Sequence, residues 1–175
     1  MPDETPGWRP AQRRLHWWVA ALVALGFAIG LTMMRADSLG VLVTFLLYQI
    51  HKSIGLVVLL LVLWRLWLRH RHGRPPEVEL PHWERRAAAI GQGLLYALLL
   101  VVPVLGYLTA SAAPIGIETL FLFVIPLPPL VAPDQALYEQ LEPIHRAAAW
   151  ALVLLALGHA GMAVARGRVG RMRGR

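Results

Sequence analysis

Cysteine is absent from this 175-residue sequence, which excludes a disulfide framework, a thiolate-ligated metal site and a catalytic thiol. Charged residues are also scarce, at 15% of the chain against about 25% in a typical soluble domain. By contrast, 57% of the residues are hydrophobic, and the mean hydropathy is +0.55. These proportions exclude a disordered chain and argue against an ordinary soluble fold. The length suits one domain covering residues 1–175.

Long apolar runs are present instead. A membrane-spanning helix needs about 20 mostly apolar residues. Three runs meet this requirement without any Asp, Glu, Lys or Arg, and a fourth, at 39–68, is interrupted only by Lys52 and Arg65. The fourth run is too long for one straight span, so we expect its first part, 39–48, to be an interfacial lead-in or an extension of the helix. The sequence therefore predicts an all-α, membrane-spanning four-helix bundle, with helices at about 15–34, 49–68, 87–110 and 144–165.

Basic residues are distributed unevenly along the chain. Fourteen of the 17 fall in the N-terminal arm, the link between the second and third helices, and the C-terminal tail. They are Arg9, Arg13, Arg14, Arg65, Arg69, Arg71, Arg74, Arg85, Arg86, Arg166, Arg168, Arg171, Arg173 and Arg175. These segments share one side if the helices alternate, and an excess of Lys and Arg marks the cytoplasmic side. We therefore expect both termini to be cytoplasmic, which explains the sequence pI of about 11 without a nucleic-acid partner.

The longest predicted connection, at about 111–143, joins the third and fourth helices. Its central part, 119–133, is apolar but contains four prolines, and it is too short to cross a membrane. We expect this part to lie on or dip into the outer membrane surface and to cover what lies beneath it.

Seven histidines are the candidate functional residues. Those at positions 70, 72 and 82 lie in the polar link between helices and are interpreted as solvated. The other four lie within or at the ends of the predicted helices, where ionisable side chains are costly and usually functional. These four are His16, His51, His145 and His159.

The positions of the four histidines predict two pairs at different depths. His145 and His159 are 14 residues apart, about 40° short of four full turns, so they share a helix face and differ in height by roughly 21 Å. His16 begins the first helix on the side of His159, and His51 begins the second on the side of His145. Two facing imidazoles inside a bundle are what a bis-histidine haem b requires. The sequence therefore predicts two haem b groups, held by the pairs His16/His159 and His51/His145.

Other chemistry fits these residues less well. A zinc site needs three or four ligands converging at one depth, and the predicted helices contain no carboxylate. No nucleophile–base arrangement or glycine-rich phosphate loop is present, so we predict no catalytic residues. A proton path through the histidines stays open. Four glycines could give a porphyrin room between helices: Gly55, Gly106, Gly158 and Gly161.

Motifs along most of the chain, roughly 9–168, resemble the bacterial cytochrome b561 family, four-helix di-haem proteins of the inner membrane. The similar segments are Arg-Leu-His-Trp at 14–17, Ile-His-Lys-Ser-Ile-Gly at 50–55, Leu-Leu-Tyr-Ala-Leu at 94–98, Pro-Val-Leu-Gly-Tyr at 103–107, and the histidines 14 residues apart in the fourth helix. One departure is Gln92, where many relatives carry a further histidine that is not an axial ligand.

The resemblance implies that all four paired histidines are axial ligands of haem iron. It also implies one-electron transport in the respiratory chain, with a quinone as partner and, in part of the family, superoxide as donor. The corresponding activity would be that of a superoxide:quinone or quinol oxidoreductase. At Gln92, the departure puts a role in propionate contact or quinone binding in doubt.

Haem propionates need cationic or polar partners near the membrane surfaces. The candidates are Arg13, Arg14 and Arg65 on the cytoplasmic side, and Lys52 and Arg146 on the other. The alternative interpretation of each is a simple surface anchor.

Two further hypotheses about function remain open at the level of sequence. One is a haem-free transporter that uses the histidines for protons or a transient metal ion. The other is a haem-bearing anchor subunit of a larger dehydrogenase or hydrogenase. Membrane lipid is the expected environment, and the large apolar surface is compatible with a homodimer.

Overall fold

The computed structural model describes residues 8–35, 38–73, 81–115, 117–167 and 169–170. Within them, four α-helices are long and apolar enough to cross a membrane, which confirms the predicted all-α membrane bundle. A short antiparallel β-hairpin lies between the third and fourth helices. The elements are α1 Pro10–Met33, α2 Val41–His72, α3 His82–Ala112, β1 Thr119–Phe121, β2 Ile125–Leu127 and α4 Gln135–Ala165.

The orientation of the bundle in the membrane stays a prediction. Five of the arginines that carry it lie outside the described residues: Arg74, Arg168, Arg171, Arg173 and Arg175. Positions are therefore given relative to the fold. The end where α1 begins and α4 ends is called the terminal end, and the opposite end, where β1 and β2 lie, is called the hairpin end.

Each helix extends beyond its predicted apolar span at one end or both. α2 begins at Val41, so most of the segment 39–48 is an extension of the helix. α4 begins nine residues before position 144, and the Asp134 side chain caps it by accepting the N–H of Leu137 at 3.0 Å. The length of an apolar run predicts only the part of a helix that crosses the hydrocarbon region. The helix itself can continue into polar residues beyond that region where a capping side chain bonds the free backbone groups at its end.

The bundle consists of two helical hairpins. α1 packs along α2, α3 packs along α4, and α2 joins the two hairpins through α3. α1 and α4 approach each other only sparsely, so a seam runs between them. Phe27 and Trp150 cross this seam with an edge-to-face contact of 4.8 Å between ring centroids.

A small apolar core occupies the middle of the bundle. Leu152 lies seven residues from both His145 and His159, so the core separates the depths at which these two histidines lie. The four helices bury few other side chains against each other, and many of their large apolar residues face outward. These outward-facing residues are available to lipid. The core residues are Val19, Val58, Val62, Leu99 and Leu152.

Polar side chains of α2 fasten the β-hairpin to the bundle. Gln49 has no exposed surface, donates to the carbonyl of Glu118 at 2.8 Å and accepts the N–H of Leu120 at 3.0 Å. The hydroxyl of Ser53 accepts the N–H of Leu122 at 3.0 Å. These bonds satisfy backbone groups of the connection, which lies over the hairpin end of the bundle.

The β-hairpin turns through a left-handed backbone at two residues other than glycine. Leu122 has φ 51° and Phe123 has φ 63°. Such conformations persist where the surroundings impose them, and here the bond from Leu122 to Ser53 does so. On α3, Tyr107 donates to the carbonyl of Pro128, which fixes the strand-to-helix connection beyond the turn.

We expect Gln49→Leu to lower the free energy of unfolding by about 1–3 kcal/mol, because it removes a fully buried amide and leaves the carbonyl of Glu118 and the N–H of Leu120 without their partner. Thermal unfolding in detergent and the rate of proteolysis at 113–133 measure the effect. Gln140→Leu, at an exposed position of α4, is the matched control. Equal behaviour of the two variants would contradict the anchoring role.

Candidate functional site

The hairpin-end pair of histidines joins α2 to α4. The ring centroids of His51 and His145 are 6.2 Å apart, and the ring planes make an angle of 85°. Both side chains are half-buried inside the bundle. Because α2 and α4 are diagonal neighbours, this pair spans the interior of the bundle.

The terminal-end pair joins α1 to α4. The ring centroids of His16 and His159 are 6.3 Å apart, with an angle of 74° between the ring planes. The pair lies across the seam, where α1 and α4 make little other contact. The structure thus brings the four histidines together in the same two pairs that their spacing predicts.

Backbone carbonyls orient both rings of the hairpin-end pair. Nδ1 of His51 lies 3.0 Å from the carbonyl oxygen of Gly26, and Nδ1 of His145 lies 3.1 Å from that of Val102. A carbonyl oxygen can only accept, so each Nδ1 carries the proton and donates. Each Nε2 is then the unprotonated nitrogen and is available to bind a metal ion.

Glycines beside this pair make room for its rings. A Cβ on Gly106 would lie 2.9 Å from Cε1 of His145, and one on Gly30 would lie 3.4 Å from Cε1 of His51. Gly106 therefore has the spacing role predicted for it, whereas Gly30 was not anticipated. A Cβ at the other three candidates would meet no atom within 4 Å, so crowding does not select glycine there: Gly55, Gly158 and Gly161.

A cation accompanies the terminal-end pair. Arg65 on α2 lies 14 residues beyond His51, which places it at the depth of His16 and His159. Its guanidinium carbon lies 5.6 Å from the ring centroid of Tyr96, and that of Arg69 lies 5.2 Å from the same centroid. A cation over an aromatic face is stabilised by the ring quadrupole, which helps to hold two arginines in a helix that crosses the membrane.

The other predicted propionate contacts have different surroundings. Lys52 donates to the carbonyl of Ile117 at 3.2 Å, and Arg146 pairs with Glu142 at 3.0 Å on the surface of α4. Arg13 is half-buried and Arg14 is exposed, both in the first turns of α1. A contact between any of these four side chains and a haem stays a prediction.

The geometry of both pairs fits a haem iron. A histidine nitrogen lies about 2 Å from a metal ion that it binds and the ring centre about 1 Å further, so two imidazoles on opposite sides of one ion have centres about 6 Å apart. Both observed separations match this value. Among the described side chains, no group of three or more is arranged to hold a metal ion. Two imidazole nitrogens at each site suit an iron ion whose other ligands are the nitrogens of a porphyrin.

Four membrane-spanning helices with histidines paired between helices at two depths are typical of a membrane cytochrome of the b class. The family model described as prokaryotic cytochrome b561 matches residues 7–173, and the chain belongs to that family. It is thus a haem b-binding electron-transfer protein that crosses the bacterial inner membrane several times. This membership favours the cytochrome over the haem-free transporter.

Two curated relatives agree with this assignment. Cytochrome b562 of Cereibacter sphaeroides is 39% identical over 106 residues, a match that spans 59% of this chain and 66% of the relative. Cytochrome b561 homolog 1 of Escherichia coli is 29% identical over 153 residues, which cover 86% of this chain and 84% of the relative.

We expect Gly106→Val to reduce the haem bound per chain, because its side chain would displace the His145 ring that lies 2.9 Å from the Cβ position. The haem-to-protein ratio from pyridine haemochrome absorbance measures this loss. Ala88→Val, at an exposed position of the same helix, is the control and should keep the wild-type ratio. A wild-type ratio in both variants would show that close approach at Gly106 is not needed for binding.

Proposed function

We propose that this cytochrome binds two haem b groups, one between His51 and His145 and one between His16 and His159. We further propose that it carries single electrons between a quinone and a second redox partner. The observation that supports the proposal best is the near equality of the ring separations, 6.2 and 6.3 Å, at two depths of one bundle. Sites built for different ligands would not be expected to share one separation.

The chain's own residues define what such a protein can do. Haem b, when bound, supplies a one-electron couple between ferric and ferrous iron. A haem held by one histidine from each of two helices would leave its iron no open position for oxygen or substrate, so these histidines favour electron transfer over oxygen chemistry. The carbonyls of Gly26 and Val102 hold the imidazoles of the hairpin-end pair in one tautomer.

The interior between the two pairs is apolar. Val58, Val62 and Leu152 are buried there and exclude water from the space between the two depths. An interior without water and with few polar groups rearranges little when an electron arrives or leaves. Such an interior favours electron transfer between the two depths. The 14-residue spacing on α4 corresponds to a rise of roughly 21 Å, most of the hydrocarbon thickness.

A quinone is the partner that the environment favours. Quinones dissolve in the hydrocarbon region and can reach a bundle whose outward-facing surface is apolar. The resemblance to the cytochrome b561 family also suggests superoxide as an electron donor. Superoxide as donor and quinone as acceptor would make the protein a superoxide:quinone oxidoreductase.

We expect two haems per wild-type chain and one in His159→Ala, since this change removes a ligand of the terminal-end pair and leaves His51 and His145 in place. Pyridine haemochrome absorbance per chain counts them, and rapid mixing of the reduced protein with a short-chain quinone should reoxidise it. His70→Ala, in an exposed position at the end of α2, is the control. One haem in the wild type, or two in His159→Ala, would refute the pairing.

We also propose that the terminal end faces the cytoplasm, on the strength of the basic residues in its segments. An alkaline phosphatase fused after Arg175 should then be inactive, and a green fluorescent protein fused at the same place should fluoresce. Fusions placed in the loop at 128–133 should behave in the opposite way. An active C-terminal phosphatase would reverse the orientation.

A further inference from the structure

Gln12 has a buried hydrogen-bond donor without a partner. The side chain is 5% exposed, and its Nε2 has no partner among the described atoms. The Oε1 atom accepts the backbone N–H of Arg9 at 3.4 Å. An amide turned the other way would place its NH2 group against that N–H, so the assignment of nitrogen and oxygen is chemically sound. Buried polar groups are nearly always paired, which indicates that Nε2 donates to a group that the described residues do not supply.

The location of Gln12 identifies the ligand chemistry. Gln12 precedes His16 by four residues, so both side chains lie on the same face of α1, at the terminal end of the bundle. Arg65 lies 14 residues beyond His51 on α2, which places it at the depth of the same histidine pair. The first turn of α1 also presents the positive end of its helix dipole at this place. A hydrogen-bond donor, a guanidinium and a helix N-terminus together favour an anion that accepts hydrogen bonds.

The described residues supply little negative charge here to meet these groups. Arg65 and Arg69 are four residues apart, share the ring of Tyr96, and repel each other. Among the carboxylates that the structure describes at the terminal end, Glu84 is engaged with Arg166 at 2.9 Å. An anion carried by a ligand would therefore both relieve the repulsion and satisfy the amide of Gln12.

We propose that Gln12 and Arg65 together bind a carboxylate, and that this carboxylate is a propionate of the haem held by His16 and His159. The proposal rests on the proposed function, because it needs a haem at this pair. Gln12 is then a positioning residue of the cofactor. Arg65 is one of the propionate candidates that the sequence suggested, whereas Gln12 is not among them.

The first test uses the full-length protein with both haems bound. In Gln12→Leu, the propionate bending band in resonance Raman spectra of the bound haem should shift, and the midpoint potential of one haem should fall. The potential falls because a less neutralised carboxylate stabilises ferric iron. Arg65→Gln should lower the same potential further. Gln140→Leu is the matched control and should change none of these quantities.

The second test identifies the source of the carboxylate. Apoprotein of the wild type and of Gln12→Leu is reconstituted with haem or with haem dimethyl ester, whose propionates are blocked. The four combinations form a double-mutant cycle. The shift in potential caused by Gln12→Leu should be present with haem and lost with the ester.

Each other outcome has a definite meaning. A shift of equal size with the ester would overturn the assignment in favour of a free anion or a bound water molecule. An unchanged Raman band and potential in both Gln12→Leu and Arg65→Gln would overturn the carboxylate site itself. If Gln12→Leu loses haem, Gln12→Lys, which keeps a donor, should retain it, and loss in both would also overturn the proposal. A wild-type protein with no haem at this pair would refute the proposed function instead.

Discussion

Two imidazoles must face each other at each of two depths in a bundle only four helices wide, and the rest of the structure depends on this constraint. Residues 14 positions apart lie on the same face of a helix and roughly 21 Å apart along it. The inward face of each helix therefore has one position at the depth of the terminal-end pair and one at the depth of the hairpin-end pair. α4 uses both positions for histidine, whereas the other helices place a different side chain at the second. In α1 and α3, that second position is a glycine beside a ring of the hairpin-end pair. The resulting positions are His16 and Gly30, His51 and Arg65, Gln92 and Gly106, and His145 and His159.

The two depths differ in what surrounds them. At the hairpin end, backbone carbonyls orient the rings, and the buried amide of Gln49 fastens a covering hairpin, so this pair is enclosed by groups of fixed geometry. At the terminal end, Arg65 and Arg69 place positive charge beside the pair. Positive charge favours the reduced, less positive state of a nearby iron. If each pair holds a haem as proposed, the two haems would thus differ in potential even with the same kind of ligands.

The sequence predicted the four helices and the pairing because both follow from local rules: apolar length and the 3.6-residue period. It did not predict the roles of Gln49 and Ser53, which bind backbone groups 69 to 71 residues away, since no periodic pattern encodes such distant contacts. Gly30 and Gly106 illustrate the same limit. Glycine is common in membrane helices, and only the packed structure shows which of them faces a histidine ring.

Helix packing at the hairpin end favours one tautomer of each histidine ring. Gly26 is buried, and a Cβ there would lie 3.2 Å from Cγ2 of Ile54, so α1 and α2 approach closely at this point. The close approach brings the carbonyl of Gly26 to Nδ1 of His51, which must then carry its proton. The same argument holds for Val102 and His145 between α3 and α4. The pair α1 and α2 therefore orients the imidazole of His51, and the pair α3 and α4 orients that of His145. Where the two helix pairs pack together, the centroids of these rings are 6.2 Å apart.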